Sequence, residues 1–225
     1  MIYVMSDLHG CYDEFIEMLK EIEFSKTDEL YIIGDVVDRG PEPIKLLKYI
    51  MNKQNIHTVM GNHEKMMIDA LTTTYYKAHR LWYINGGEIT EKQFNRQGEE
   101  TKKKIIKYIK NLPYYKEVNA NGKDYVLIHG GPEWNFEEAL RLGRISSDVL
   151  WNRFDTIDKK EVVEGKIIVV GHTPVQLYNF DNIIKFADKR LIDCGCVFGY
   201  KLACLRLNDE KEYYIESKQT TFKKD

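Results

Sequence analysis

The chain has 225 residues, 43% apolar and 30% charged, which is enough for one full core with a small appended lobe and too little for two large independent domains. Lys and Arg number 33 against 35 Asp and Glu, so the formal charge of −2 lacks the cationic excess of a protein that grips polyanionic backbone, and nucleic acid is not an expected partner. No apolar run approaches the roughly 18 residues of a membrane span and the first residues have no basic leader, so the expectation is a soluble, cytoplasmic protein with no membrane partner.

Short runs rich in β-branched and aromatic residues recur along the chain, and each is succeeded by a cluster of Gly with Asp, His or Asn. Ile2 to Met5 leads into Ser6-Asp7-Leu8-His9-Gly10. Leu30 to Ile33 leads into Gly34-Asp35-Val36-Val37-Asp38-Arg39-Gly40, and Ile56 to Met60 into Gly61-Asn62-His63-Glu64. Between these runs the period changes: Phe15, Met18, Leu19 and Ile22 recur at helical spacing, as do Ile44, Leu47 and Ile50. The pattern is β-α-β-α-β, an α/β fold with parallel strands and right-handed crossovers, whose ligands sit beyond the carboxyl ends of the strands.

From about 65 to 116 the pattern is helical and insertion-like, interrupted at Gly86-Gly87. Trp82 and the neighbouring tyrosines here can stack a base or cap the core; capping is the plainer reading. Lys104, Lys107 and Lys110 share one helical face opposite Ile105, Ile106 and Ile109, and a solvated face explains them better than a phosphate-attracting patch. Tyr125 to Ile128 then precedes His129-Gly130-Gly131, and Ile167 to Val170 precedes Gly171-His172-Thr173-Pro174. Strand-like runs close the chain at Leu191-Ile192, Leu202 to Leu207 and Tyr213 to Ile215. A single domain over 1–217 is expected, with a frayed polar tail over 218–225.

Taken singly, each His or Asp at a strand end is an ordinary structural residue. Together, Asp7, His9, Asp35, Asn62, His129 and His172 form an oxygen and nitrogen donor set suited to Mn²⁺, Fe or Zn²⁺ rather than Ca²⁺, and too large for one tetrahedral ion. Two divalent metal ions bridged by a carboxylate would use them all, an arrangement that serves in-line phosphate hydrolysis. Arg39 and Arg153 can present planar forks to phosphoryl oxygens. His63, beside Asn62, can protonate a leaving group, and Asp38 can hold its ring charged and oriented.

Asp-x-His-Gly, Gly-Asp-x-x-Asp-Arg-Gly, Gly-Asn-His-Glu, His-Gly-Gly and Gly-His-Thr, in this order, resemble the phosphoprotein phosphatase branch of the calcineurin-like metallophosphoesterases. Leu150-Trp151-Asn152-Arg153 and Ile192-Asp193-Cys194-Gly195-Cys196 further resemble the bacteriophage lambda and bacterial serine/threonine phosphatases. The resemblance covers about residues 2 to 207. It implies an α-β-β-α sandwich of two mixed sheets flanked by helices, a second sheet that periodicity alone does not reveal. It also implies that Asp7, His9 and Asp35 bind a first metal and Asp35, Asn62, His129 and His172 a second. By the same resemblance Asn62, Arg39 and Arg153 hold phosphate, and His63 with Asp38 forms the acid pair. Mn²⁺ is the expected metal.

Ser6 stands where the family usually has Gly, and Cys194 and Cys196 where lambda-like relatives commonly have Thr and Ala. With Cys11 and Cys204, these thiols are too few for a disulfide scaffold, and reduced packing residues is the reading adopted; Cys11 could alternatively be an oxidation-sensitive thiol. The expected substrate is a phosphorylated protein or peptide, with phosphoserine and phosphothreonine ahead. The alternative is a dinucleoside polyphosphate such as diadenosine tetraphosphate, whose bacterial hydrolases resemble this chain over the same motifs. Those relatives tend to carry Gly-Asn-His-Asp, so Glu64 and Asp38-Arg39 lean toward the protein phosphatase. A non-catalytic phosphate-recognising module would have lost ligands, and here every position is filled; a nuclease is disfavoured by the charge. Oligomeric state is not readable.

Overall fold

The computed structural model describes residues 1–153 and 162–220. Two five-stranded mixed sheets lie at its centre. The first has the order β10-β9-β1-β2-β3, built from β1 (Ile2–Met5), β2 (Glu29–Ile33), β3 (Ile56–Val59), β9 (Lys201–Arg206) and β10 (Lys211–Glu216). Strands β1, β2 and β3 run parallel, with Val4 opposite Tyr31 and Ile32 opposite Thr58, and β9 returns antiparallel along β1. The second has the order β4-β5-β6-β8-β7, from β4 (Tyr115–Ala120), β5 (Lys123–Ile128), β6 (Lys166–Val170), β7 (Ile184–Lys185) and β8 (Lys189–Leu191). Here β5, β6 and β8 are the parallel strands. The two-sheet sandwich flanked by helices agrees with the expected fold.

Val4, Ile32, Val126, Val169 and Leu205, one from each of five strands, have no exposed surface, and the core they belong to is continuous across both sheets. Helix α1 (Tyr12–Glu21) closes over β9 and β10, inserting Phe15 and Met18, and α2 (Pro43–Met51) inserts Ile44, Leu47 and Ile50. Burying side chains of this size stabilises by about 1.5–3 kcal/mol each, which holds short amphipathic helices that would not persist alone.

The insertion comprises α3 (Asn62–Thr72), α4 (Tyr76–Ile84), α5 (Glu88–Asn95) and α6 (Glu99–Lys110). In α6, Ile105 and Ile109 are buried while Lys104, Lys107 and Lys110 are exposed, as a solvated face requires. Trp82 is fully buried, so it caps the core and cannot stack a base. All four cysteines are free and buried.

The tail departs from expectation at its start. Glu14 Oε1 accepts the Lys218 N–H at 2.9 Å and the Gln219 Nε2–H at 2.8 Å, and Lys218 Nζ pairs with Glu17, so this stretch is docked on α1 because backbone donors there meet a buried carboxylate. The remaining tail, 221–225, lies outside the described residues. Among the described residues, no helix is long and apolar enough to cross a membrane.

Candidate active site

Each candidate metal ligand follows the carboxyl end of a parallel strand: Asp7 and His9 after β1, Asp35 after β2, Asn62 after β3, His129 after β5 and His172 after β6. The two sheets therefore deliver donors to one point. They are stitched there by His129 Nδ1, which donates to the Ile33 carbonyl at 2.8 Å, and by the His172 N–H, which donates to Asp7 Oδ2 at 2.9 Å. Gly34, at φ +87°, permits the approach, since a Cβ there would lie 2.6 Å from His129 Nδ1 and from the Gly61 Cα.

The backbone at the site is strained. Asp7, His9, Asp35, Asp38, Arg39 and His172 all have left-handed φ, between 41° and 71°. For residues with a Cβ this conformation costs about 1–2 kcal/mol each. Glu64 does much of the holding: its buried carboxylate accepts the N–H groups of Asp35 and Val36 at 2.8 Å, Gly61 at 3.0 Å and Val37 at 3.2 Å. Burial, then the Asp35 charge, pushes the Glu64 pKa up.

Asp35 is the hub. Its Oδ1 accepts the His63 N–H at 3.0 Å, at the amino end of α3. Its Oδ2 lies 3.3 Å from His129 Nε2, 3.6 Å from His9 Nε2 and 3.9 Å from His63 Nε2. Two candidate metal-holding groups share it, His9/Asp35/His63 and Asp35/His129/His172, with ligand atoms within 4.8 Å of one another in each. Asn62 Oδ1 joins the second, 2.8 Å from His129 Nε2. Asp7 borders both groups and belongs to neither.

The electrostatics fit a cation at this point. Burial raises the Asp35 carboxyl, but the His129 and His63 rings beside it outweigh this and hold it well below the ordinary range. Burial lowers His129, yet the Asp35 charge and hydrogen bond prevail and push it up to about 10. Burial pushes Asp7 up to about 6, and burial with the His129 charge lowers His172 to about 3. His9 is lowered by burial and by Arg39. Its Nδ1 donates to the Val37 carbonyl at 2.9 Å, which leaves the Nε2 lone pair pointing inward, the tautomer a ligand needs.

His63 Nδ1 donates to Asp38 Oδ2 at 2.7 Å, with both side chains fully buried. Among the described residues, His63 Nε2 has no hydrogen-bond partner. Beside this buried pair lies a cleft of about 620 Å³ lined by Asp35, Arg39, Asn62, Arg153 and His172, among others. Arg39 lies 5.4 Å over the Phe198 ring, and Arg153 Nη1 reaches Thr173 Oγ1 at 3.4 Å. Of the predicted site residues, Asp35, Arg39, Asn62, Arg153 and His172 line the cleft, while Asp7, His9, Asp38, His63 and His129 are buried around Asp35 and His63.

Four contributors escape a reading of sequence alone: Glu64 as a loop anchor, Trp82 and Thr90 against Asp38, and Asp193. Asp193 follows β8 and is pushed well up by burial and by Asp7, which its position after a strand could have signalled. The apolar wall of the cleft, Trp151, Leu177, Phe198 and Tyr200, is likewise new.

Serine/threonine-protein phosphatase 2 of Salmonella typhimurium is 32% identical over 216 residues, covering 92% of each chain. Bis(5'-nucleosyl)-tetraphosphatase PrpE of Bacillus velezensis is 27% identical over 240 residues, covering 95% of this chain and 92% of its own. The crystal structure of a cold-active protein-tyrosine phosphatase from a psychrophilic Shewanella covers 96% of this chain and 80% of its own, with a TM-score of 0.61 at 19% identity, a likeness of fold. Residues 1–211 match the calcineurin-like phosphoesterase family, and the chain belongs to that family.

Proposed function

We propose that this phosphoesterase hydrolyses phosphomonoesters, with phosphoserine and phosphothreonine in proteins or peptides as its substrate class. The observation that carries the reading is Asp35 Oδ2, shared by two histidine-rich donor groups and facing a cleft that also holds Arg39 and Arg153. The proposed ligands are Asp7, His9 and Asp35 for one divalent ion and Asp35, Asn62, His129 and His172 for the other. Mn²⁺ is the proposed metal, and the same donors accept Fe or Zn²⁺. When bound, the two ions supply Lewis-acid activation of water and counter-charge for the phosphoryl oxygens.

The chain's own residues do the rest. Arg39 and Arg153, both lining the cleft, bind and orient the phosphoryl group through charge-assisted hydrogen bonds. Asn62 offers its amide N–H groups to the same oxygens while Oδ1 faces inward. His63 holds a proton at Nε2 for the departing serine or threonine oxygen, and Asp38 at Nδ1 keeps the ring oriented. The proposed setting is the cytosol, where four reduced thiols persist.

Several relatives named as serine/threonine phosphatases align over about nine-tenths of this chain at 28–32% identity, which supports a phosphoprotein substrate. The apolar wall formed by Trp151, Leu177, Phe198 and Tyr200 favours the second reading, a dinucleoside polyphosphate whose base rests there. Steady-state turnover of a phosphoserine peptide and of diadenosine tetraphosphate, side by side with Mn²⁺, tests the choice. Brisk peptide hydrolysis is expected; dinucleotide cleavage with an inert peptide overturns it.

A further inference from the structure

The stretch Trp82-Tyr83-Ile84-Asn85-Gly86-Gly87 stands out in the sequence, and its place in the fold gives it a use. Trp82 Nε1–H donates to both carboxylate oxygens of Asp38, at 3.0 Å to Oδ1 and 2.9 Å to Oδ2. The Asp38 N–H donates to Thr90 Oγ1 at 2.9 Å, and the Arg39 N–H donates to the Gly86 carbonyl at 3.1 Å. All three partners belong to the helical insertion. They bind two consecutive left-handed residues, Asp38 at φ 71° and Arg39 at φ 65°, which need external restraint. Gly87 lets the indole sit down, since a Cβ there would lie 2.4 Å from the Trp82 ring.

An indole offers one donor and no acceptor, and here that donor goes to the Asp38 carboxylate. Bridging both oxygens fixes the plane of the Asp38 carboxylate. That plane fixes the direction of the His63 Nδ1–H, and with it the rotation of the ring and the aim of Nε2. Nε2 is buried and, among the described residues, unpartnered, 3.9 Å from Oδ2 of Asp35, a residue that lines the cleft. Trp82, Asp38, Thr90 and His63 are all fully buried, so no water competes for these bonds.

We infer that Trp82 is a positioning residue for proton donation: through Asp38 it holds the His63 ring so that Nε2 faces the leaving oxygen. The helical insertion is thereby the back wall of the proton donor, and it also supplies Asn85 to the cleft lining. The inference rests on the acid role proposed for His63.

Trp82→Phe keeps an aromatic ring and removes the donor. Turnover of a phosphoserine peptide is expected to fall about 10–100-fold, the range for a lost outer-shell partner. Turnover of p-nitrophenyl phosphate, whose leaving group departs without a proton, is expected to stay within about threefold. Equal loss on both substrates, or loss on neither, overturns the inference. Should the ring change loosen the core, 3-benzothienylalanine at position 82 keeps the indole shape with sulfur in place of N–H, and the same split between substrates is expected.

A readout without turnover accompanies these assays. In metal-free protein carrying ¹⁵N-histidine, the His63 Nδ1–H is expected to exchange with solvent slowly in the wild type and at least about tenfold faster in Trp82→Phe. Unchanged exchange overturns the inference by itself. A wild type that hydrolyses neither ester rejects the phosphatase reading instead, and the exchange rates then decide whether Trp82 holds the ring.

Discussion

Arg39 Nη1 donates to His9 Nε2 across 2.8 Å, so a cationic side chain engages the imidazole lone pair that a metal ion would also use. Metal and arginine therefore compete for His9, and metal binding is expected to turn the guanidinium toward the phosphoryl site. Arg39→Ala should leave Mn²⁺ affinity unchanged or higher, while kcat/KM for a phosphoester falls by about 1.5–3 kcal/mol, roughly 10- to 150-fold. Calorimetric Mn²⁺ titration beside steady-state kinetics checks this. A loss of metal affinity in step with activity would show that Arg39 supports the ligand instead.

The buried pair His63 and Asp38, 2.7 Å apart, makes a leaving-group prediction. An alkoxide leaves poorly, and a positioned acid contributes about 10²–10⁴ in rate. His63→Asn is expected to lose that factor on a phosphoserine peptide and far less on an aryl phosphate. Equal losses on the two esters would remove His63 from the acid role.

Glu64 holds four backbone N–H groups with one carboxylate. In Glu64→Gln a single oxygen remains to accept and an NH₂ group faces buried donors. The expected cost is about 2–3 kcal/mol, or a fall of about 4–10 °C in Tm, because buried donors are left unpaired. Differential scanning calorimetry measures it, and a shift under about one degree would mean that the loop keeps its shape by other means.

A pH dependence of stability arises from Arg190 on β8 and Glu210 in the turn between β9 and β10, a pair that ties the two sheets. Arg190 reaches both carboxylate oxygens at 2.9–3.0 Å, and Lys123 Nζ adds a contact at 2.9 Å. Partial burial raises the Glu210 carboxyl, but these cations outweigh it and hold the pKa down to about 2. A depressed carboxyl stabilises in full above its unfolded value, near 4.5, and that contribution is gone once the pH has fallen through about 2. Urea midpoints for wild type and Glu210→Gln should therefore differ at pH 6 and converge toward pH 2. A constant gap across that range refutes the assignment.

The strands that carry Asp7, Asp35, Asn62, His129 and His172 are legible because each is a β-branched run ending in Gly and a polar residue. The helical character of most of 65–116 is legible too, from its change of period, but the helices end at Lys110 and β4 begins at Tyr115, inside the stretch expected to be helical. The pairing of strands into two sheets comes from resemblance, since register between β5, β6 and β8 is set by contacts far apart in the chain. Glu64 is hidden for a similar reason: as a letter it is one more acidic residue, and only the folded loop brings four donors to it. Trp82 reads as core filling, which its ring is, while the direction of its N–H depends on a residue 44 positions away. The start of the tail, Lys218 and Gln219, is docked rather than frayed because Glu14, unremarkable within α1, becomes a buried acceptor once β10 ends beside it.

Six of the candidate site residues sit in left-handed conformations that most side chains avoid. Robustness and chemistry thus compete at the same positions, because Gly or Asn would relax the backbone where Asp, His or Arg is needed. A library of variants selected only for survival of heat is expected to shed these residues early and leave the sandwich intact. Sequencing such survivors would trace the outline of the active site without a single activity assay.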